Sequence, residues 1–447
     1  MKFSTMIFVF LLIAFQIACT EIEMPEGEVP EKEVPEEVPE NISGNTFYVA
    51  PDGKDSNPGT LELPWATWTR AFTAAKAGDI VYFRGGVYKD LGTQRISGGN
   101  PPSGTEEHPI RFYNYPGEEP ILDNGGLVPT GGWNTGLTIS NVKNVHYKGL
   151  TIRNCHEHTY NVDLYGFNFH QCENIVLENL TASNNGGPGF GIFSCKNVYV
   201  LNCDAFNNID TFNTSAGSGG TADGFQIWNI PKNTQVYMEG CRAWGNSDDG
   251  YDTNASGLVV FDRCWAIDNG RLEGSAAGFK WGLMNEESTE LNRHIVNCIS
   301  AFNRGSAYNE NNRLKYLTST TAYNNISYAN QYGFVNFRDF VGGAKDVIYK
   351  NNLTFRDIAG NLFLRQVQQG HNSWNLSGIV VSEDDFVSLD STGITGPRQE
   401  DGSLPELDFL KLVAGSDLID AGVDVGIPFY GSSPDIGFSE FNGTSSK

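Results

Sequence analysis

Asp248, Asp249 and Asp252 place three carboxylates within five residues, in the stretch CRAWGNSDDGYD at 241–252. Asp223 stands earlier, in ADGF at 222–225, and Lys280 later, in GFKWG at 278–282. Taken alone, Asp248-Asp249-Gly250 could be a solvated turn, and Asp252 a surface partner of Lys280. Brought together, four carboxylates repel one another unless a cation sits among them, and one lysine cannot neutralise four. An all-oxygen set fits Ca2+, which takes roughly six to eight oxygen ligands in flexible geometry. No Cys or His shares these positions, which disfavours zinc.

Whether the groups meet depends on the elements that carry them. Internal repeats supply the frame. The segments NLTASNN, NCDAFNN, GCRAWGN, RCWAIDN, NCISAFN and NNISYAN end at Asn185, Asn208, Asn246, Asn269, Asn303 and Asn330. Successive spacings are 23, 38, 23, 34 and 27 residues, a unit of 23 lengthened by loop insertions. That pattern predicts the coil of a parallel β-helix. Cys203, Cys241, Cys264 and Cys298 recur at one position, with Ala243 or Ala266 two places on. Residues at i and i+2 share a strand face, so this face is read as inward, with the cysteines stacked as small hydrophobes. The asparagine column is read as turns in left-handed geometry.

A second alignment runs GFNFH, GFGIF, GFQIW, GYDTN, GFKWG, AYNEN and GFVNF, from Gly166 to Phe337. Its aromatic points inward and the next residue outward. Neighbouring rungs lie about 4.8 Å apart. Asp223 and Asp249 then share one column, and Asp252 and Lys280 another, all on one outer face with Asp248 beside them. Arg313, Arg338, Asn309, Asn311 and Tyr308 flank this face as candidate substrate contacts. His156 and His158, in CHEHTY, have metal-ligand spacing but no evident partner, and are read as a loop.

The expected fold is all-β: a right-handed parallel β-helix over 46–447, with an N-terminal helical cap and an irregular C-terminal extension. The stretch WATWTRAFTAAKAGD at 65–79 supplies the cap over open strand edges, and SLPELDFLKL at 403–412 packs along or beneath the far end. Residues 1–19 read as an export signal, too short to span a membrane. Ala18-Cys19 resembles the end of a lipobox, with simple secretion as the alternative. Residues 20–45, rich in Pro and Glu, read as an extended tether. The formal charge is −23 overall and −16 over residues 42–447, which argues against a nucleic-acid partner. The expected protein is an exported monomer, at the surface of a Gram-negative cell or secreted. It touches membrane only through a lipidated N-terminus.

The motifs ADGF, CRAWGNSDDGYD, WAIDNG at 265–270 and GFKWG resemble those of family 9 polysaccharide lyases. YVAPDGKDSNPGT at 48–60 and DGSLPELDFLKL at 401–412 are similar to the ends of such proteins. The resemblance implies a right-handed parallel β-helix that cleaves pectic polysaccharide by β-elimination. It implies that Asp223, Asp248, Asp249 and Asp252 hold Ca2+ and that Lys280 is the catalytic base. It also implies an alkaline working pH. Two rival readings stand beside it. One is a β-helix hydrolase using the aspartates as acid and base. The other is a non-catalytic sugar-binding surface protein.

Overall fold

The computed structural model describes residues 44–89, 94–96, 101–125, 136–156, 164–212, 219–282, 290–311, 317–336 and 346–443. Arg313, Arg338 and His158 lie outside the described residues, as do the export signal and nearly all of the tether.

The chain visits three faces in turn and returns to the first one rung further on. Phe225–Trp228, Gln235–Glu239 and Arg242–Trp244 make one circuit, and Tyr251–Asn254 opens the next. Every named strand pairing is parallel, and the described strands form sheets of 12, 9 and 10 strands. The sheet that starts each circuit runs from Gln94–Ile96 to Tyr332–Asn336. It carries the acidic residues and is called the site sheet below.

The interior follows the repeat. Phe167, Phe190, Phe225, Tyr251, Phe279, Tyr308 and Phe334 stack with ring centroids 4.4–5.3 Å apart. Tyr308 is thus a core residue and not a substrate contact. It is fully buried, and its hydroxyl donates within the coil to the carbonyls of Cys298 and Ile326. It occupies the aromatic position of its rung, which alternation turns inward. Cys203, Cys241, Cys264 and Cys298 are buried free thiols, each with an alanine or serine two positions on, as expected of packed small side chains.

The asparagine column is a hydrogen-bonded ladder. Asn185, Asn208, Asn246, Asn269 and Asn303 each donate Nδ2–H to Oδ1 of the next, 2.9 Å away, ending on Asn330. The left-handed backbone lies one residue earlier than expected, at Asn184, Asn207, Gly245, Asp268, Phe302 and Ala329. The ladder residues keep ordinary backbone and point inward, where each also satisfies a backbone N–H of the preceding rung. Buried amides need such partners.

The N-terminal cap is a helix, Trp68–Ala74, with Thr67 accepting from the Arg70 N–H at its start. Trp68 and Phe72 pack edge-on against Phe83 and Phe112 of the first rungs, closing the apolar end. The C-terminal extension runs along the side of the coil, not beneath its end. Phe386, Phe409, Leu410, Leu412 and Leu418 cover the outward residues Trp265, Ile299, Ile326 and Leu353 of the third sheet. No helix among the described residues is long and apolar enough to cross a membrane.

Candidate active site

Gln226, Asp252, Lys280 and Asn309 are consecutive neighbours in register on the site sheet. Their inward neighbours are the stacked rings, so these four side chains face outward. Asp223 and Asp249 immediately precede the Gly-aromatic pairs of successive rungs. The Asp249 N–H donates to Asp223 Oδ1 at 3.1 Å, which ties the two rungs together. Carboxylate oxygens of Asp223, Asp248 and Asp249 all lie within 4.8 Å of one another. That is the span across an ion with oxygen ligands about 2.4 Å away on opposite sides. Asp252 stands beside this triad, facing Lys280.

Lys280 Nζ lies 2.6 Å from Asp249 Oδ2, 3.4 Å from Asp252 Oδ2 and 3.3 Å from Ser275 Oγ. Its side chain keeps 16% exposure while Asp249 is fully buried. The base candidate is therefore at the rim and the carboxylates beneath it.

A turn that the repeat does not single out completes the cluster. Ser275 Oγ lies 2.7 and 2.8 Å from the two oxygens of Asp249. The N–H groups of Ser275 and Ala276 donate to Asp248 Oδ1, and that of Ala277 donates to Asp249 Oδ1. Gly274 lets this turn pass: a Cβ there would sit 2.4 Å from Asp248 Oδ1 and 2.8 Å from the Gly219 carbonyl. Gln226 is a second addition, donating Nε2–H to Asp223 Oδ2 at 3.2 Å. The signal for both was weak. Gly274-Ser275 lies in an insertion, and a single glutamine in an outward column has no distinctive spacing.

The electrostatics follow from crowding. Burial, then the Asp249 charge, pushes the Asp248 carboxyl up to about 7. Burial, then Asp248, Asp252 and Asp249, raises Asp223 well above the usual carboxylate range. Burial also raises Asp252, against the pull of Lys280. Burial pulls Lys280 down, but Asp249, Asp252, Asp248 and Asp223 outweigh it and hold the ammonium well above its ordinary range. Among the described residues Lys280 is the only cationic side chain hydrogen-bonded to these aspartates.

Comparison with known proteins defines the class of this parallel β-helix: the polysaccharide lyases. Residues 47–352 match the family described as Pel9A-like, right handed beta helix region, and the chain belongs to this family of family 9 polysaccharide lyases. Pectate lyase L of Dickeya chrysanthemi is 30% identical over 423 residues, covering 89% of this chain and 90% of that protein. The crystal structure of pectate lyase Pel9A superposes with a TM-score of 0.74 at 27% identity, over 89% of this chain and 97% of that one. A rhamnogalacturonan lyase superposes with a TM-score of 0.71 at 26% identity, over 83% and 97%. The protein is a polysaccharide lyase with a right-handed coil.

Proposed function

We propose that this lyase cleaves uronate-containing pectic polysaccharide by β-elimination. Asp223, Asp248, Asp249 and Asp252 would hold Ca2+, and Lys280 is the base. The donor set fits the ion: all ligands are carboxylate oxygens, three are mutually within 4.8 Å, and their charge exceeds that of the single lysine. Bound there, Ca2+ would neutralise the uronate carboxylate as negative charge grows on it.

Lys280 Nζ takes the proton from C5, the carbon α to that carboxylate. The C–H electron pair becomes the C4–C5 double bond, and the C4–oxygen bond breaks to release the leaving sugar. Only a neutral amine can accept the proton, and free lysine has a pKa near 10.4. The aspartates alone hold Nζ protonated. Lys280 becomes a competent base once the charges of Asp249 and Asp252 are compensated, and an alkaline working range follows. Asn309, next to Lys280 in register, would bind a sugar hydroxyl. Arg313 and Arg338 remain candidates for the uronate carboxylates.

The observation that carries this reading is the in-register column of Asp252 and Lys280 beside the Asp223–Asp248–Asp249 group. The test presents polygalacturonate and a galacturonate–rhamnose backbone to the enzyme, with Ca2+ and with EDTA. The expected result is ultraviolet absorbance from the new double bond, abolished by chelation and restored by Ca2+. Turnover that survives full chelation would rule out the role given to the ion. On the same reading, residues 1–19 and 20–45 would carry the enzyme outside the cytoplasm, on a lipidated Cys19 or by simple secretion. Release of a Cys19→Ala variant into the medium would be the expected outcome.

A further inference from the structure

Gln226 stands in register beside Asp252 and is only 4% exposed. Its amide makes two hydrogen bonds: Nε2 donates to Asp223 Oδ2, and Oε1 accepts from the Tyr165 hydroxyl at 2.6 Å. With its oxygen taken by the Tyr165 hydroxyl, the amide turns its NH2 to Asp223. Gln226 therefore meets the acidic group as a donor and not as a further oxygen ligand.

Tyr165 comes from two rungs away. It precedes the strand Phe167–His170, which pairs with Phe190–Phe193, which pairs in turn with Phe225–Trp228. Its ring must cross the middle strand, and it does so over Gly191. A Cβ on Gly191 would lie 2.9 Å from Tyr165 Cδ1 and 2.5 Å from Phe193 Cε2. Gly191 is not among the residues with positive φ, so its backbone does not require glycine. The crossing does. Asp223 then has both oxygens pinned, Oδ1 by the Asp249 N–H and Oδ2 by Gln226.

We propose that Tyr165, Gln226 and the gap at Gly191 form a positioning relay that fixes Asp223 for the divalent cation. Tyr165 orients the Gln226 amide. Gln226 holds one carboxylate oxygen by a donated hydrogen bond, within the group whose oxygens lie inside 4.8 Å of one another. The inference rests on the reading of these aspartates as a Ca2+ site. Losing a hydrogen-bond partner of a metal ligand typically costs about 10–100-fold in metal affinity.

The test is calorimetric titration of Ca2+ into the metal-free full chain, with thermal unfolding in EDTA recorded alongside. Tyr165→Phe removes one hydroxyl and is expected to weaken Ca2+ binding about 10–100-fold while the protein remains folded in EDTA. Gly191→Ala keeps the hydroxyl but blocks the crossing, and is expected to show the same loss. The double variant should add little to either, because both act on one connection. Should Gly191→Ala fail to fold, Tyr165→Phe decides alone. Wild type that binds Ca2+ while the folded variants bind it equally well would overturn the relay and leave the site reading intact. Wild type that takes up no Ca2+ would overturn the site reading, and the relay with it.

Discussion

Two regions of this coil bury carboxylates, and they handle the charge in opposite ways. On the third sheet Asp204 receives two guanidinium groups. Arg242 donates to its two oxygens at 2.9 and 2.8 Å, and Arg398 at 2.6 and 3.2 Å. Remaining N–H groups of both arginines reach the carbonyls of Ile394, Gly396, Gly402, Cys203 and Gly240. This knot pins the C-terminal extension to the coil. On the site sheet, four carboxylates face one ammonium, and much of their hydrogen bonding comes from neutral N–H groups. Where cations outnumber the carboxylate, the group works as a fastener. Where carboxylates outnumber the cation, negative charge is left uncompensated. A cleft of about 640 Å3 opens beside Asp204 and Arg398, lined by neither the site aspartates nor Lys280.

That contrast can be broken at several points. The largest effect is expected from Lys280→Ala. Removing a general base costs about 10²–10⁴-fold in rate, read as loss of ultraviolet product formation, while folded variants around Asp204 keep their turnover. Next, Asp204→Asn leaves the buried Arg242 and the half-buried Arg398 without their countercharge, which costs about 3–5 kcal/mol in denaturant unfolding. Asp248→Asn in EDTA near pH 8 should be neutral or stabilising, because it removes one of several repelling charges. Equal destabilisation by both would erase the distinction. Third, Ca2+ at a hundred times its dissociation constant should stabilise wild type by about 2.7 kcal/mol, and Asp248→Asn by clearly less at the same concentration.

The smallest effect concerns pH in the metal-free protein. Asp248 is raised to about 7, and Asp223 is raised in the same direction. In the window above the unfolded carboxylate pKa the folded state therefore binds more protons. Stability from these groups is complete below about pH 4 and is lost as pH rises through about 7. Melting in EDTA across that window should show the decline, and Asp248→Asn should flatten it. A decline unchanged in Asp248→Asn would count against the assignment.

The coil is legible in the amino-acid order because it is periodic. The aromatic column, the cysteines and the asparagine ladder recur at one unit length, and each rung repeats its neighbour's environment. The same frame aligned Asp252 with Lys280 and set Asp223 and Asp249 on successive rungs. It also held the correction for Tyr308, which occupies an aromatic position. Left-handed backbone one residue before the ladder asparagines was harder to read, since Gly245, Asp268, Phe302 and Ala329 share no common chemistry.

Periodicity thus decided which residues are inside, which face outward, and which carboxylates share a face, because strand alternation and rung stacking are local rules. It could not place Ser275 over Asp249, carry Tyr165 across Gly191 to Gln226, or bring Arg398 back to Asp204 from 194 residues away. Those contacts depend on insertions and a tail that obey no repeat. Their paths are set by what they meet in three dimensions: a missing Cβ, a carboxylate oxygen open to a donor, an uncovered apolar sheet.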